Sequence, residues 1–116
     1  RIGDFQMVQQ MLADSVIETN AARWMVYHAA WMLDQGQDAR TQIAMVKVHA
    51  AETLGRVVDR AVQVFGGMGF CKDLPIERYY RDARIYRIFD GTSEIHRGVI
   101  AKAALKQGAP LFDLHR

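Results

Sequence analysis

The residues of this sequence that could do chemistry are concentrated in one short polar segment, Asp90-Gly91-Thr92-Ser93, which separates two apolar stretches. A carboxylate in a loop between helices can project over a flat ligand and remove a proton from it. The small Gly91 would let such a ligand approach the main chain closely. The alternative is structural, because Asp, Thr and Ser are common N-cap residues and Asp90 could simply cap the next helix. Spacing alone favours capping.

The remaining reactive side chains form no recognisable site. The histidines have no metal-ligand spacing among themselves or with Cys71, so we expect no metal site and assign them structural or exposed positions. These residues are His28, His49, His96 and His115. Cys71 is the only cysteine of the sequence, which excludes an internal disulfide and fits a reducing compartment.

An arginine recurs at every third position from residue 78 to residue 87, with tyrosines between the arginines. Such interleaving of basic and aromatic side chains can indicate nucleic-acid binding. We expect the arginines instead to pair with Glu77, Asp82 and neighbouring helices, because the formal net charge is only +2. No nucleic-acid partner is therefore predicted.

Apolar residues recur at helical spacing along most of the chain, and no stretch alternates as a strand would. The four predicted helices span about residues 5–34, 40–65, 76–88 and 93–106. Gly36 should end the first helix in the left-handed conformation, and Gly66-Gly67 should end the second. Gly69 is expected to keep the following loop irregular, and Gly108-Ala109-Pro110 to end the last helix. The predicted fold class is all-α, an antiparallel helical bundle.

The two long helices carry apolar side chains on more than one face. The main stripe of the first helix includes Phe5, Val8, Leu12, Val16, Val26 and Leu33. The expected inward stripe of the second is Ile43, Val46, Ala50, Leu54, Val57, Ala61, Val64 and Phe65. Other apolar residues lie off these stripes, namely Met7, Met11, Trp24, Met25, Trp31, Met45 and Val48. We expect that most of them widen the core and that the others meet another helix or subunit.

The length of 116 residues suits one domain with a single core, so residues 1–116 are assigned to one domain. No apolar run approaches the roughly 20 residues that are needed to span a bilayer. The chain opens with Arg1-Ile2-Gly3-Asp4, without a signal peptide or an initiator methionine. This start suggests a piece of a longer chain, and any targeting peptide is expected on the missing part.

Three segments taken together resemble the C-terminal helical domain of the acyl-CoA dehydrogenase family. They are Gly3–Gln9, Gln63–Phe70 and Pro75–Arg97, and their order and spacing match the family over about residues 3–106. The resemblance implies a partial domain that lacks the family's first long helix. It also implies that an N-terminal helical domain and a middle β-domain are absent, so we expect the isolated chain to be inactive.

The activity that this resemblance implies is the FAD-dependent α,β-dehydrogenation of an acyl-CoA thioester. In the family, a base removes the α-proton while hydride passes to the flavin, and the base is a carboxylate directly before Gly-Thr-Ser. That position is Asp90 here, and Gly91 matches a position near the substrate thioester. The resemblance therefore favours catalysis over capping for Asp90. The family's commonest residue is Glu, and some branches carry the base on the helix missing here, so an auxiliary role for Asp90 stays open.

The resemblance also implies a set of cofactor contacts and partners. Thr92 and Glu94 match residues that bind the flavin nucleotide beside the base. Other positions match contacts to a neighbouring subunit's FAD, namely Phe5, Gln6, Gln63, Gly66 and Gly67. Contacts across subunits imply a homo-oligomer, typically a tetramer, and the implied electron acceptor is an electron-transfer flavoprotein. The implied compartment is the bacterial cytoplasm or the mitochondrial matrix.

Two alternatives to this function remain open. A relative similar to nitroalkane oxidase or acyl-CoA oxidase would keep the flavin and Asp90 and change the reaction. Asp as the base is found in nitroalkane oxidase relatives and in certain cyclic acyl-CoA dehydrogenases. The chain could also be a non-catalytic helical module that retains only oligomerisation.

Overall fold

The computed structural model describes residues 1–107, which form five α-helices and no β-strand. A short 3-10 turn at Ile2–Asp4 precedes them. The helices are α1 (Gln6–Asp34), α2 (Arg40–Phe65), α3 (Gly67–Phe70), α4 (Ile76–Ile85) and α5 (Ser93–Gln107). The all-α prediction is confirmed. The predicted stop at Gly108-Ala109-Pro110 and His115 lie outside the described residues.

Local sequence signals explain the turn between the two long helices. Gly36 has a φ of +71°, and Gln37 N–H donates to the Met32 carbonyl at 2.9 Å, which closes the last turn of α1. At the start of α2 the Asp38 carboxylate accepts a hydrogen bond of 3.1 Å from Arg40 N–H. The predicted end of the first helix at this glycine is confirmed.

Helix α2 lies at the centre of the described part of the chain and packs against α1, α3, α4 and α5. An ion-pair cluster joins it to α1, because the Glu18 carboxylate accepts from Arg56 at 2.9 Å and from Arg60 at 2.8 Å. Arg97 of α5 reaches Glu52 of α2 at 2.6 Å. Each neighbouring helix is therefore oriented by its contacts with this one helix.

The face of α1 that packs on α2 differs from the predicted main stripe. Leu12 and Val16 of that stripe are exposed to 53% and 68% of their area. The residues turned towards α2 follow one another at spacings of three and four, namely Met11, Ser15, Glu18, Ala22, Met25 and Ala29. Small side chains and methionines let the helices approach, and Glu18 fixes the rotation of α1 through its two arginines.

The predicted inward stripe of α2 is also wrong in part. Ile43, Leu54 and Phe65 are exposed, whereas the small residues Ala44 and Ala51 are buried. Of the residues off the stripes, Met11, Met25, Met45 and Val48 are half-buried, and Met7, Trp24 and Trp31 are exposed. Because α2 has neighbours on several sides, its close contacts use small side chains and leave larger ones at the margins.

Two predictions about the segment that follows α2 are also wrong. The loop that we expected to be irregular contains the short helix α3. Its Gly69 is buried, and a Cβ at this position would lie only 2.9 Å from the Val62 carbonyl oxygen. Glycine at this position lets the short helix lie directly against the end of α2. Helix α4 ends at Ile85 and not at Ile88, although the Ile88 and Phe89 N–H groups still donate to the Ile85 carbonyl.

Candidate functional site

The segment between α4 and α5, residues 86–92, is called the junction below, and it is attached to the middle of α2 by a lysine. Lys47 donates a hydrogen bond of 2.8 Å from its Nζ to the carbonyl oxygen of Tyr86. The same Nζ lies 4.8 Å from the ring centroid of Phe89, within the range of a cation–π interaction. The position of the junction on α2 therefore depends on this cation.

Thr92 caps the helix that follows the junction. Its Oγ1 accepts a hydrogen bond of 3.2 Å from the N–H of Ile95, the third residue of α5. The buried Ser93 closes the turn, because its N–H donates to the Arg87 carbonyl at 3.2 Å. The interpretation of Asp90 as the cap is therefore wrong, since the capping oxygen belongs to the residue two positions later.

Asp90 and Gly91 reverse the direction of the chain with two successive positive φ angles, of 52° and 89°. Positive φ is uncommon for residues other than glycine, although Asp tolerates it better than most. The His96 ring lies against this turn, with Nε2 at 3.2 Å from the Asp90 carbonyl oxygen. The φ of Gly91 favours glycine, and a Cβ at this position would lie 2.7 Å from the same Nε2, so the His96 ring would have to shift to admit it.

Asp90 itself is exposed, and its polar atoms have few internal partners. Among residues 1–107 neither its carboxylate nor its N–H takes part in a hydrogen bond; the carbonyl oxygen alone does so. The carboxylate and the N–H of the same residue are thus left without a partner among residues 1–107. Such a pair can take a proton from one atom of a ligand and polarise a carbonyl of the same ligand.

Glu94 lies in the first turn of α5. Its own backbone N–H, followed by the Thr92 hydroxyl and Arg97, lowers the pKa of the Glu94 carboxyl below its ordinary value. The side chain is therefore an anion at a helix N-terminus, where the positive end of the helix dipole favours negative charge. This charge opposes direct contact with a phosphate, and the Thr92 hydroxyl, whose hydrogen goes to Glu94, keeps an oxygen lone pair that suits a ribityl hydroxyl.

The other expected cofactor residues lie together at a different place. Because α1 and α2 are antiparallel, Phe5 and Gln6 lie at the same end of the helix pair as Gln63, Gly66 and Gly67. Gly66 has a φ of +59°, and all five residues are exposed.

The two groups of expected site residues are far apart along α2. Lys47, which marks the junction, precedes Gln63 by 16 positions, or about 24 Å at a helical rise of roughly 1.5 Å per residue. The structure therefore brings Asp90, Gly91, Thr92 and Glu94 together at one place and the five exposed end residues together at another.

Sequence reasoning missed two residues at the junction. No local sequence signal indicates a role for Lys47, since its hydrogen-bond partner is 39 residues away. His96 was assigned only a structural or exposed role. Its position six residues after Asp90, on the second turn of the next helix, was the available signal.

Two further features concern the described residues only. Residues 1–107 contain no group of three or more His, Cys, Asp or Glu side chains that could hold a metal ion. Within the same range, no helix combines the length and the apolar character that crossing a bilayer requires.

The fold and the junction define an all-helical domain with an exposed carboxylate shortly before a capped helix N-terminus. A family model described as "Acyl-CoA dehydrogenase, C-terminal domain" matches residues 1–105. The chain therefore belongs to the acyl-CoA dehydrogenase family, as the resemblance predicted.

Individual relatives agree with this assignment. The chain is 42% identical to cyclohexane-1-carbonyl-CoA dehydrogenase of Geobacter metallireducens over 106 residues, 91% of this chain and 28% of that protein. It is 38% identical to the caffeyl-CoA reductase-Etf complex subunit CarC of Acetobacterium woodii, covering 92% of this chain and 28% of that protein. A solved structure titled "FAD complex of PigA" superposes with a TM-score of 0.87 at 36% identity, over 92% of this chain and 28% of that chain. The chain thus spans about 28% of the length of these relatives.

Proposed function

We propose that the full-length protein is an FAD-dependent acyl-CoA dehydrogenase and that Asp90 removes the α-proton of the acyl thioester. One observation carries this proposal. The chain belongs to this family, and Asp90 offers an exposed carboxylate and an N–H without an internal partner in a turn directly before a capped helix.

The proposed chemistry of the chain's own residues follows from this geometry. The Asp90 carboxylate accepts the α-proton, and the Asp90 N–H donates to the thioester carbonyl, where negative charge develops. Gly91 carries no side chain that would keep the thioester away from the backbone. The flavin, when bound, supplies the acceptor for the hydride that leaves the β-carbon.

The shorter side chain of Asp has a consequence for the substrate position. Asp lacks one methylene of the family's common Glu, so its carboxylate reaches roughly 1.5 Å less far, and an error of about 1 Å can cost 100-fold in rate. We propose that the left-handed turn at Asp90 and the bare Gly91 compensate by bringing the thioester closer to the backbone.

The residues near Asp90 fit a flavin nucleotide in different ways. We propose that the Thr92 hydroxyl and the N-terminal end of α5 face the nucleotide. Glu94, held as an anion, accepts the hydrogen of the Thr92 hydroxyl and makes no direct phosphate contact, so the Thr92 oxygen would face a ribityl hydroxyl that donates to it.

The second group of residues is proposed to serve another subunit. Since the junction is about 24 Å from Gln63 along α2, Phe5, Gln6, Gln63, Gly66 and Gly67 would contact the FAD of a neighbouring copy in a homo-oligomer, a tetramer in this proposal. Gly66 and Gly67 permit close approach of a nucleotide to the backbone.

The proposed electron acceptor is an electron-transfer flavoprotein. This part of the proposal is supported by the relative named as a subunit of a reductase–Etf complex. The proposed compartment is the bacterial cytoplasm or the mitochondrial matrix, where the exposed Cys71 would stay reduced.

The decisive experiment is anaerobic mixing of full-length, FAD-loaded protein with a panel of acyl-CoA thioesters. We expect at least one of them to bleach the flavin absorbance. Bleaching by nitroalkanes alone would support the nitroalkane oxidase-like alternative, and rapid reoxidation by oxygen would support the oxidase-like one. Full-length protein that stays colourless after FAD is added would overturn the proposal in favour of a non-catalytic module.

The role of Asp90 is tested by Asp90→Asn, which keeps the size of the side chain and removes the base. Flavin content should stay normal, while the rate of flavin reduction falls by about 100-fold or more. Asp82→Asn is a matched control, because Asp82 is an exposed carboxylate on α4 whose ion pair within residues 1–107 is with Arg78, at 3.6 Å. Near-normal reduction in Asp90→Asn would place the base elsewhere.

A further inference from the structure

The turn that carries Asp90 is conformationally unfavourable by itself. Asp90 has a φ of 52° and is followed by Gly91 with a φ of 89°, and such a conformation persists at a non-glycine residue only when its surroundings enforce it. Lys47 holds the start of the junction through Tyr86, and Thr92 holds its end.

His96 is the side chain that reaches this turn. Its Nε2 lies 3.2 Å from the Asp90 carbonyl oxygen and occupies the space where a Cβ of Gly91 would stand. The His96 backbone is fixed in turn, because its N–H donates to the Thr92 carbonyl at 3.1 Å within the first turns of α5. The ring therefore connects the rigid start of α5 to the carbonyl of the proposed base.

The hydrogen bond defines which ring nitrogen carries a proton. A carbonyl oxygen can only accept, so Nε2 must carry the hydrogen that it donates. The carbonyl belongs to the Asp90–Gly91 peptide plane, so the bond restrains the ψ angle of Asp90 and with it how the Asp90 Cα, which carries the side chain, is attached to the start of α5.

The geometry points to His96 as a positioning residue that aims Asp90 at the substrate by holding the Asp90 carbonyl and packing against Gly91. This inference rests on the proposed function, in which Asp90 is the base. His96 touches neither the substrate nor the flavin in this proposal and acts on the rate only through Asp90.

The test uses full-length FAD-loaded protein with an acyl-CoA that reduces the wild type, under anaerobic stopped-flow conditions. His96→Leu removes the donor and should lower the limiting rate of flavin reduction by 10- to 100-fold. FAD content and the substrate concentration for half-maximal rate should change by less than about threefold. His96→Gln offers an amide N–H at similar reach and should restore most of the rate.

Two further readouts separate positioning from general structural damage. Deuterium at the substrate α-carbon should slow reduction more in His96→Leu than in the wild type, because proton removal becomes more fully rate-limiting. In an Asp90→Asn background His96→Leu should cost less than about twofold, since the base is already absent. His28→Gln, on the exposed side of α1, should change none of these quantities.

The possible failures are distinguishable. If Asp90→Asn slows reduction but His96→Leu does not, the positioning role is overturned and the proposed function stands. If His96→Leu and His96→Gln lose rate and FAD content equally, His96 is merely structural and the inference is wrong. If Asp90→Asn reduces flavin at a near-normal rate, the role of Asp90 in the proposed function fails, and the role of His96 fails with it.

Discussion

The Nζ atom of Lys47 lies 2.8 Å from the carbonyl oxygen of Tyr86, a residue 39 positions later in the chain. This bond joins the middle of α2 to the point where α4 has ended, and the Tyr86 and Phe89 rings lie around the same cation at 5.9 and 4.8 Å. A carbonyl just past a helix end has lost its intrahelical partner, so the lysine satisfies it. The junction with Asp90 is thereby placed relative to the central helix.

Replacing Lys47 should loosen the junction without unfolding the helices. Lys47→Met keeps a long apolar stem and removes the donor and the charge, so residues 86–92 should open more easily by about 1 kcal/mol. Amide hydrogen exchange at residues 86–89, whose N–H groups are hydrogen-bonded, should then be about fivefold faster, as measured by mass spectrometry. Lys47→Arg is the control, since it keeps both the charge and the cation–π contact. Unchanged exchange in Lys47→Met would contradict the anchoring role.

Alanine substitutions at Gly91 and at Gly98 should have opposite effects on the stability of the protein. Gly91→Ala places a Cβ 2.7 Å from His96 Nε2 at a φ of +89°, so it should destabilise the protein by more than about 1 kcal/mol. Gly98→Ala lies within α5 with nothing within 4 Å of the new Cβ and should stabilise by about 0.5–1 kcal/mol. Thermal unfolding of both full-length variants measures the difference. A melting temperature for Gly91→Ala at or above that of the wild type would refute the close packing of His96.

The start of α5 should be sensitive to acid through Glu94. Its own N–H and then the Thr92 hydroxyl lower its pKa below the ordinary 4.5. A depressed carboxyl pKa contributes stability that is fully present above pH 4.5 and is lost as the pH falls through the folded-state value. A carbon-detected NMR titration of the Glu94 carboxyl should therefore give a pKa under 4.5.

The contribution of Thr92 to this pKa can be isolated by substitution. Thr92→Val removes the hydroxyl, so the Glu94 pKa should move up towards 4.5, and the lost cap should cost about 1 kcal/mol of stability. Thr92→Ser keeps the hydroxyl, so the Glu94 pKa and the stability should both stay as in the wild type. A Glu94 pKa that is identical in the wild type and in Thr92→Val would exclude the hydroxyl as a cause.

The sequence allowed the ends of the long helices to be predicted closely, because their signals are local. Gly36 ends α1, Gly66 follows α2, and the last helix starts at Ser93 as predicted. Each of these boundaries depends on residues within one turn of the helix end. The roles of Asp90 and of the cofactor residues remain predictions that rest on the family.

The packing faces could not be predicted in the same way. Helix α1 carries apolar residues on both the Leu12 side and the Met11 side, so helical periodicity did not decide which side faces α2. Glu18 decides it, through arginines about 40 positions away. No local pattern contains that information.

The sequence by itself determined that this chain is helical, where its long helices begin and end, and which short polar junction resembles the family's catalytic segment. These properties depend on neighbouring residues, whose backbone preferences act locally. Only the tertiary structure decided that Lys47 anchors the junction, because that contact joins residues 39 positions apart. The Thr92 cap and the contact of His96 with Asp90 span three and six positions. The sequence offers several candidates for such local contacts, and only the folded backbone shows which of them form.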